Sequence, residues 1–375
     1  MGALICTWSS FVGALPLIVV DDLQEQIDRA CETNPTASSP AVVLLPEGQE
    51  VSNSDPIDLV CSNLVLQIDG LLKFSDDPSR FPLVDPLPSY GIGRDVPTNY
   101  TYKPCIFGSA ISNVEIRGKG VVDGSGEMWW AKHFAKRLNV SRPPLVEIAF
   151  SDDIRIGGGL TFKDSPFWTL HPYASTNIQI DSVFVRNPSV SPNTDGVDVD
   201  SCTNVTITNC HFSVGDDGIS IKSGLNEAGR KFGMPSQNIY VANITVDPTF
   251  DNLSTNGISI GSEMSGGVRN VTIENIIIRS CESGIYVKSM EGRGGVVEDV
   301  HVQNITMSKV LQGLRLSMNY MYRRNLRVGG SEESWKRDDE GTPQFSNITF
   351  KDVRGTALEA GFFVGLKQSF LRDVR

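Results

Sequence analysis

The sequence predicts an all-β chain wound as a right-handed parallel β-helix, a solenoid with a short N-terminal capping helix. Three observations predict it. A glycine, apolar, any residue, apolar signal recurs as Gly196-Val197-Asp198-Val199, Gly218-Ile219-Ser220-Ile221, Gly257-Ile258-Ser259-Ile260, Gly284-Ile285-Tyr286-Val287 and Gly313-Leu314-Arg315-Leu316, at steps of 22, 39, 27 and 29 residues. A second strand signal runs offset from it, led by Asn113, Asn177, Asn204, Asn238, Asn270, Asp299 and Asn347. No helical periodicity interrupts either series. Two interleaved strand signals at a near-fixed period mark a repeated coil that gives one short strand to each of several parallel sheets. The leading asparagines suit turns, where their side chains bond nearby backbone, and stacked asparagines form ladders.

Taken in order, residues 1–20 contain an apolar run, Phe11 to Val20, with no basic residue before Arg29. This is expected as a weak signal sequence, an initial strand or an imperfect gene start, and it is too short to span a membrane. Asp21 and Asp22 then precede Leu23, Ile27, Ala30 and Cys31. That spacing predicts a short amphipathic helix with acidic residues at its N-terminus, placed to cover the open end of the solenoid. Ala41–Leu45 and Leu64–Ile68 are predicted strands. Residues 75–104, rich in Pro, Asp and Ser, form a long excursion. Trp129 and Trp130 suit sugar stacking, although burial against the coils is the commoner outcome. The basic segment 131–143 is expected as a loop or short helix. The 39-residue step hides an insertion, 225–237, expected on the same rim as Asp195 and Asp217, walling one end of a cleft. Residues 323–344 are charged and expected as a loop. Residues 21–375 are one domain, since a solenoid has one continuous core.

Lys plus Arg number 33 against 44 Asp plus Glu, a net charge of −11. That argues against nucleic acid or an anionic membrane as partner. An anionic substrate would need local positive charge. The seven cysteines show no metal-ligand spacing, and no metal or cofactor is expected. Cys202 and Cys210 are close enough to close a small loop, or they stay as free buried thiols. Sequons occur at Asn99, Asn139, Asn204, Asn243, Asn252, Asn270, Asn304 and Asn347. Most follow from the coil motif itself, which generates Asn-apolar-Thr.

Stacking converts the repeat into a map of one face. Adjacent strands lie roughly 4.8 Å apart and side chains alternate sides. One outward column reads Asp198, Ser220, Ser259, Tyr286, Arg315, and the next Asp200, Lys222, Gly261, Lys288, Ser317. At the turn before each glycine stand Asp195, Asp217, Asn256, Ser283 and Gln312. Carboxylates therefore cluster on two neighbouring coils with cations beside them. Glycosidic cleavage needs a protonated carboxyl for the leaving oxygen and a carboxylate for water or direct attack. Asp195, Asp216 and Asp217 offer both, and mutual repulsion raises the pKa of one. Taken alone, Asn-Thr-Asp-Gly and Gly-Asp-Asp-Gly are also ordinary turn chemistry. His171, one coil before Asp195, is of a type more often structural than basic, with a substrate role left open.

Asn193-Thr194-Asp195-Gly196 followed by Gly215-Asp216-Asp217 resembles glycoside hydrolase family 28, the polygalacturonases and their relatives. Gly257 through Gly267, Ile221-Lys222-Ser223-Gly224, Arg293-Gly294-Gly295 and Trp168 with His171-Pro172 look like its branch of exo-acting polygalacturonases and plant polygalacturonase-like proteins. The resemblance runs from about residue 21 to the end. It implies the same β-helix and an inverting hydrolase of the α-1,4-galacturonide linkages of pectin, secreted to the cell wall and monomeric. By position, Asp216 resembles the general acid, and Asp195 and Asp217 the pair that holds and activates water. Asn193 and Lys222 would line the groove, Lys288 would bind the substrate carboxylate, and Tyr320 would border that subsite. Inversion leads us to expect carboxyls roughly 6.5–9.5 Å apart.

Three positions depart from the family pattern. Thr255-Asn256-Gly257 stands where Gly-His-Gly is common. Tyr286 replaces the arginine of Arg-x-Lys, which removes a bidentate clamp for a uronate. Gly218 replaces a cysteine. The column map suggests that Arg315, one coil beyond Tyr286, joins Lys288 on the carboxylate while Tyr286 contacts the sugar. Relative to the family, the chain is expected to lack the usual first strand and to end one or more coils early. The alternatives are a hydrolase of a decorated pectin such as rhamnogalacturonan, or a catalytically silent glycan-binding β-helix. A pectate lyase fits less well, because it would need calcium and a basic arginine.

Overall fold

The computed structural model describes residues 23–248, 255–320, 341–366, 369 and 371–375. The 1–20 segment, and all but the last residues of the 323–344 segment, lie outside the described residues. The alternating pattern folds as expected into a right-handed parallel β-helix, its strands joined in one 25-stranded parallel assembly. Three strips run along it. The first passes through Ile57–Leu59, Ile106–Ser109, Val146–Ala149, Leu170–Tyr173, Val197–Asp200, Asp217–Lys222, Asn256–Ile260 and Ser283–Lys288, then 312–317 and 359–364. The second carries the Asn-led series, from Ala41–Leu45 through Thr203–Thr208 to Leu371–Val374. The third begins with Glu50–Ser54 and includes His211–Ser213. Val197, Val199, Ile219, Ile221, Ile258, Ile260, Ile285 and Val287 of the first strip all point into one continuous apolar core.

Close stacking fixes two residue types. A Cβ on Gly218 would lie 2.6 Å from the Gly257 carbonyl and 2.7 Å from Val246, so the coil admits no side chain where the family has cysteine. Asn113, Asn177, Asn204, Asn238, Asn270 and Asn347 all take left-handed backbone, φ 48° to 59°. Asparagine tolerates that region better than most residues. Their amides stack as a ladder: Asn204 donates to Asn177 at 3.1 Å, Asn238 to Asn204 at 3.1 Å and Asn270 to Asn238 at 2.7 Å.

The predicted helix forms as α1, Leu23–Cys31, with Leu23 and Ile27 buried against the first coils. Cys31 is bridged to Cys61, a pairing the spacing did not suggest, while Cys105, Cys202, Cys210 and Cys281 are free and buried. Helix α2, Glu127–Phe134, begins earlier than the basic segment and carries both tryptophans inward. Trp129 packs edge-on to Tyr102 and Phe81, and the Trp130 indole donates to the Ser165 carbonyl at 3.0 Å, so neither serves as a sugar platform. Helix α3, Asn226–Phe232, is the insertion. It leaves the first strip at its Lys222 end, and Phe232 stacks on Tyr173 at 5.8 Å. Because the aspartates stand at the opposite end of those strands, no residue of 225–237 lines their cavity, contrary to expectation.

Candidate active site

The first strip sets the site, because its turns carry the aspartates. Asp198 pairs in register with Ser220, Ser220 with Ser259, Ser259 with Tyr286, and Tyr286 with Arg315, as the column map expects. The column is not solvated, however. All five residues are buried. Tyr286 and Arg315 pack on each other, with Tyr320 and Phe362 beside them, and the 75–104 excursion folds onto the neighbouring residues of this face. Tyr90 donates to Asp200 at 2.5 Å, the Ser89 amide donates to the Tyr173 hydroxyl at 3.1 Å, and Arg94 pairs with Glu263.

Asp195, Asp216 and Asp217 converge, each offering one carboxylate oxygen within 4.8 Å of the others. These oxygens are closer together than the roughly 6.5–9.5 Å expected from inversion. Two adjacent coils place all three groups in one layer, and flanking ammonium groups offset the repulsion. Lys288 donates to Asp217 at 2.7 Å. Lys222 lies 3.7 Å from Asp195, 3.2 Å from Asp198 and 3.4 Å from Glu263, and sits over the Trp168 ring at 4.8 Å.

This cage separates the three acids. Burial opposes ionisation of Asp217, but Lys288 and Lys222, with an Asn256 amide bond of 2.7 Å, hold its pKa below the ordinary value. Asn256 thus does its tuning where the family has histidine. Burial first, then the neighbouring Asp195 and Asp217, pushes Asp216 well above it. Burial and Asp198 do the same to Asp195. The surroundings thus favour the charged form of Asp217 and the protonated form of Asp216. Asp216 is the half-buried member and accepts from the Asn193 amide at 3.4 Å. The Asp195 Oδ1 is buried with no partner among the described residues, an open acceptor beneath the cavity.

The cavity, about 150 Å³, is lined by Asn193, the three aspartates, Lys222, Lys288 and Tyr320, as the sequence suggests. Three expected residues are not brought there. Tyr286 is buried behind Lys288, with Tyr320 edge-on at 6.1 Å, so it does not reach a sugar. Arg315 stacks on Tyr286 at 4.1 Å and donates to Glu282 at 2.9 Å, so it is a packing residue and not the replacement clamp. His171 faces a neighbouring cavity, held by Glu147 at 2.8 Å with Asp200 3.6 Å from its other nitrogen. Burial opposes its protonation, but those two carboxylates raise its pKa to about 9. The sequence reading missed Arg94, Asp95 and Glu263, which also line the cavity. Glu263 lies in a quoted motif and was findable. Arg94 lies in an aperiodic loop with no repeat to place it.

The profile of glycosyl hydrolases family 28 matches residues 39–366. The chain belongs to that family. It is 38% identical over 291 residues to the "Probable polygalacturonase" of Vitis vinifera, covering 77% of this chain and 56% of that protein. It is 25% identical to the "Exopolygalacturonase" of Platanus acerifolia, covering 90% of this chain and 79% of the relative. Among solved structures, the hyperthermoactive exopolygalacturonase of Thermotoga maritima superposes with a TM-score of 0.76 at 26% identity, covering 94% of this chain and 81% of that one. The chain thus spans little more than half the length of the grapevine relative. No helix among the described residues is long and apolar enough to cross a membrane.

Proposed function

We propose that this family 28 chain hydrolyses α-1,4-galacturonide linkages of pectin, as a secreted monomer with an exo tendency. The observation that carries this is three carboxylates with oxygens within 4.8 Å of one another in a cation-lined cavity. Asp216 gives its proton to the glycosidic oxygen as the bond breaks. A water held between Asp217 and Asp195 adds its hydroxyl to the anomeric carbon and leaves its proton on that pair. The free Oδ1 of Asp195 suits that hydrogen bond. Lys222 is committed to three carboxylates, so Lys288 and Arg94 are assigned to the substrate carboxylate. Arg94 lines the cavity, and its Nε has no partner among the described residues. Secretion is supported by the Cys31–Cys61 disulfide, which persists in oxidising compartments.

The test is incubation with polygalacturonate, following reducing ends and product size together, with Asp216→Asn as control. Monogalacturonate released by the wild type and not by the variant is the expected result. No release from folded protein on polygalacturonate or rhamnogalacturonan would leave the silent glycan-binder. The stereochemical course is a separate readout of the proposed inversion. Proton NMR of the first product decides it: the anomer opposite to the substrate's supports inversion, and the same anomer supports retention.

A further inference from the structure

The wall of the aspartate cavity holds a side chain that the reaction proposed above does not use. His133, in the last turn of α2, lines that cavity with Asn193, Asp216 and Lys288. Its side chain is 33% exposed, so the ring stands at the mouth of the cavity and not in the core. The helix that carries it is pinned to the coils by Trp129 and Trp130, both buried.

The ring is oriented from behind. Asp95 Oδ1 lies 3.3 Å from His133 Nδ1, and the other oxygen of Asp95 accepts from Arg142 Nε at 2.6 Å. Burial opposes ionisation of Asp95, but its bonds to His133 and Arg142 hold its carboxyl below the usual carboxylate range. A carboxylate only accepts, so Nδ1 carries a proton and Nε2 is the ring nitrogen left for another partner. The same Arg142 donates to Asn193 at 3.0 Å, and Asn193 donates to Asp216 at 3.4 Å. One chain of polar contacts thus ties His133 to the proposed proton donor, and it fixes where the ring stands relative to that group. A buried carboxylate that orients a part-exposed imidazole at the edge of a reaction cavity is built to present the second nitrogen to a ligand.

Resting on the reading of this cavity as the pectin-cleaving centre, we propose that His133 is a substrate-binding residue, whose Nε2 hydrogen-bonds a hydroxyl of the galacturonyl unit at the cavity mouth, and that Asp95 positions the ring for it. A hydroxyl both donates and accepts. It therefore donates to Nε2 of a neutral ring and accepts from a charged one.

Titration calorimetry with trigalacturonate on Asp216→Asn tests this without turnover. His133→Phe in that background keeps a ring edge-on to Phe134 and loses both nitrogens. His133→Gln loses the ring and keeps a polar end. His133→Phe is expected to weaken binding about fivefold to tenfold, and His133→Gln to recover part of that loss. A ring that only packs gives the reverse order, with Phe harmless and Gln the weaker binder. In the active background His133→Phe is expected to raise KM for polygalacturonate with kcat little changed. Unchanged binding in His133→Phe, the reverse order, or no binding of trigalacturonate to Asp216→Asn itself overturns the proposal. Failure of the catalytic reading shows separately, as wild-type protein that binds trigalacturonate and does not hydrolyse polygalacturonate.

Discussion

At the scale of the residue, the site is a problem of charge. Three carboxylates share one layer, and Lys288 and Lys222 decide which of them ionises. Asp216 has its pKa raised, so its protonated form is stabilised by folding. That contribution is whole below about pH 3.9, the unfolded value, and is lost as pH rises through the raised folded value. Asp217, with its pKa lowered, behaves oppositely, and its contribution is lost as pH falls through the folded value. Asp216→Asn is therefore expected to be more stable than the wild type at pH 7, by about 1 kcal/mol, with the difference gone below about pH 4. Thermal melts at the two pH values check it, and a margin that grows toward acid would refute the assignment. Activity is expected to fall on the alkaline side as Asp216 loses its proton.

The two arginines separate at the same scale. Arg94→Ala is expected to raise KM for polygalacturonate about tenfold or more, with Arg94→Lys partly restoring it, as suits loss of a charge-assisted hydrogen bond. Arg315→Ala is expected to leave KM near the wild-type value and to cost about 2 kcal/mol of stability, because it strips a buried cation from Tyr286 and Glu282. Steady-state kinetics with urea melts of both variants tests the pair. A raised KM only in Arg315→Ala would restore the assignment made from the column map.

At the scale of the element, the irregular pieces hold the ends and roof the face. Helix α1 buries Leu23 and Ile27 over the first coils, and the disulfide fixes its last turn across a separation of 30 residues. Closing a loop of that size restricts the unfolded chain by about 3–4 kcal/mol in the chain-entropy account. A Cys31→Ser, Cys61→Ser double variant is expected to lose stability on that order while keeping kcat, since the bridge lies far along the coil stack from the aspartates. Unchanged stability to denaturant would mean that apolar packing alone holds the helix.

At the scale of the whole molecule, the ladder decides which sequons are usable. Asn204, Asn243, Asn270, Asn304 and Asn347 each donate their amide to the coil before, at 2.6–3.2 Å. A glycan on that nitrogen would take the donor from the stack. Asn99 and Asn139 are exposed and outside the ladder. Glycopeptide mass spectrometry of protein secreted from a eukaryotic host is expected to find occupancy at Asn99 and Asn139 and none at the five ladder positions.

The sequence by itself determined the coil, its register and the aspartate cluster. Those depend on a local signal that repeats: glycine, apolar, any, apolar sets which side chain turns inward, and stacking carries the pattern from coil to coil. Asp195, Asp217 and Lys288 were placed together for that reason. Tertiary structure decided what the repeat does not encode. Arg94 reaches Glu263 across 169 residues from a segment without periodicity, and Cys31 meets Cys61 at a capped end. The same excursion covers Asp200 through Tyr90, while Tyr286 and Arg315 pack on each other, on Tyr320 and on Phe362. An outward position in a strand fixes only the side of the sheet. Whether water or folded chain lies over that side is settled by loops whose course depends on long-range packing.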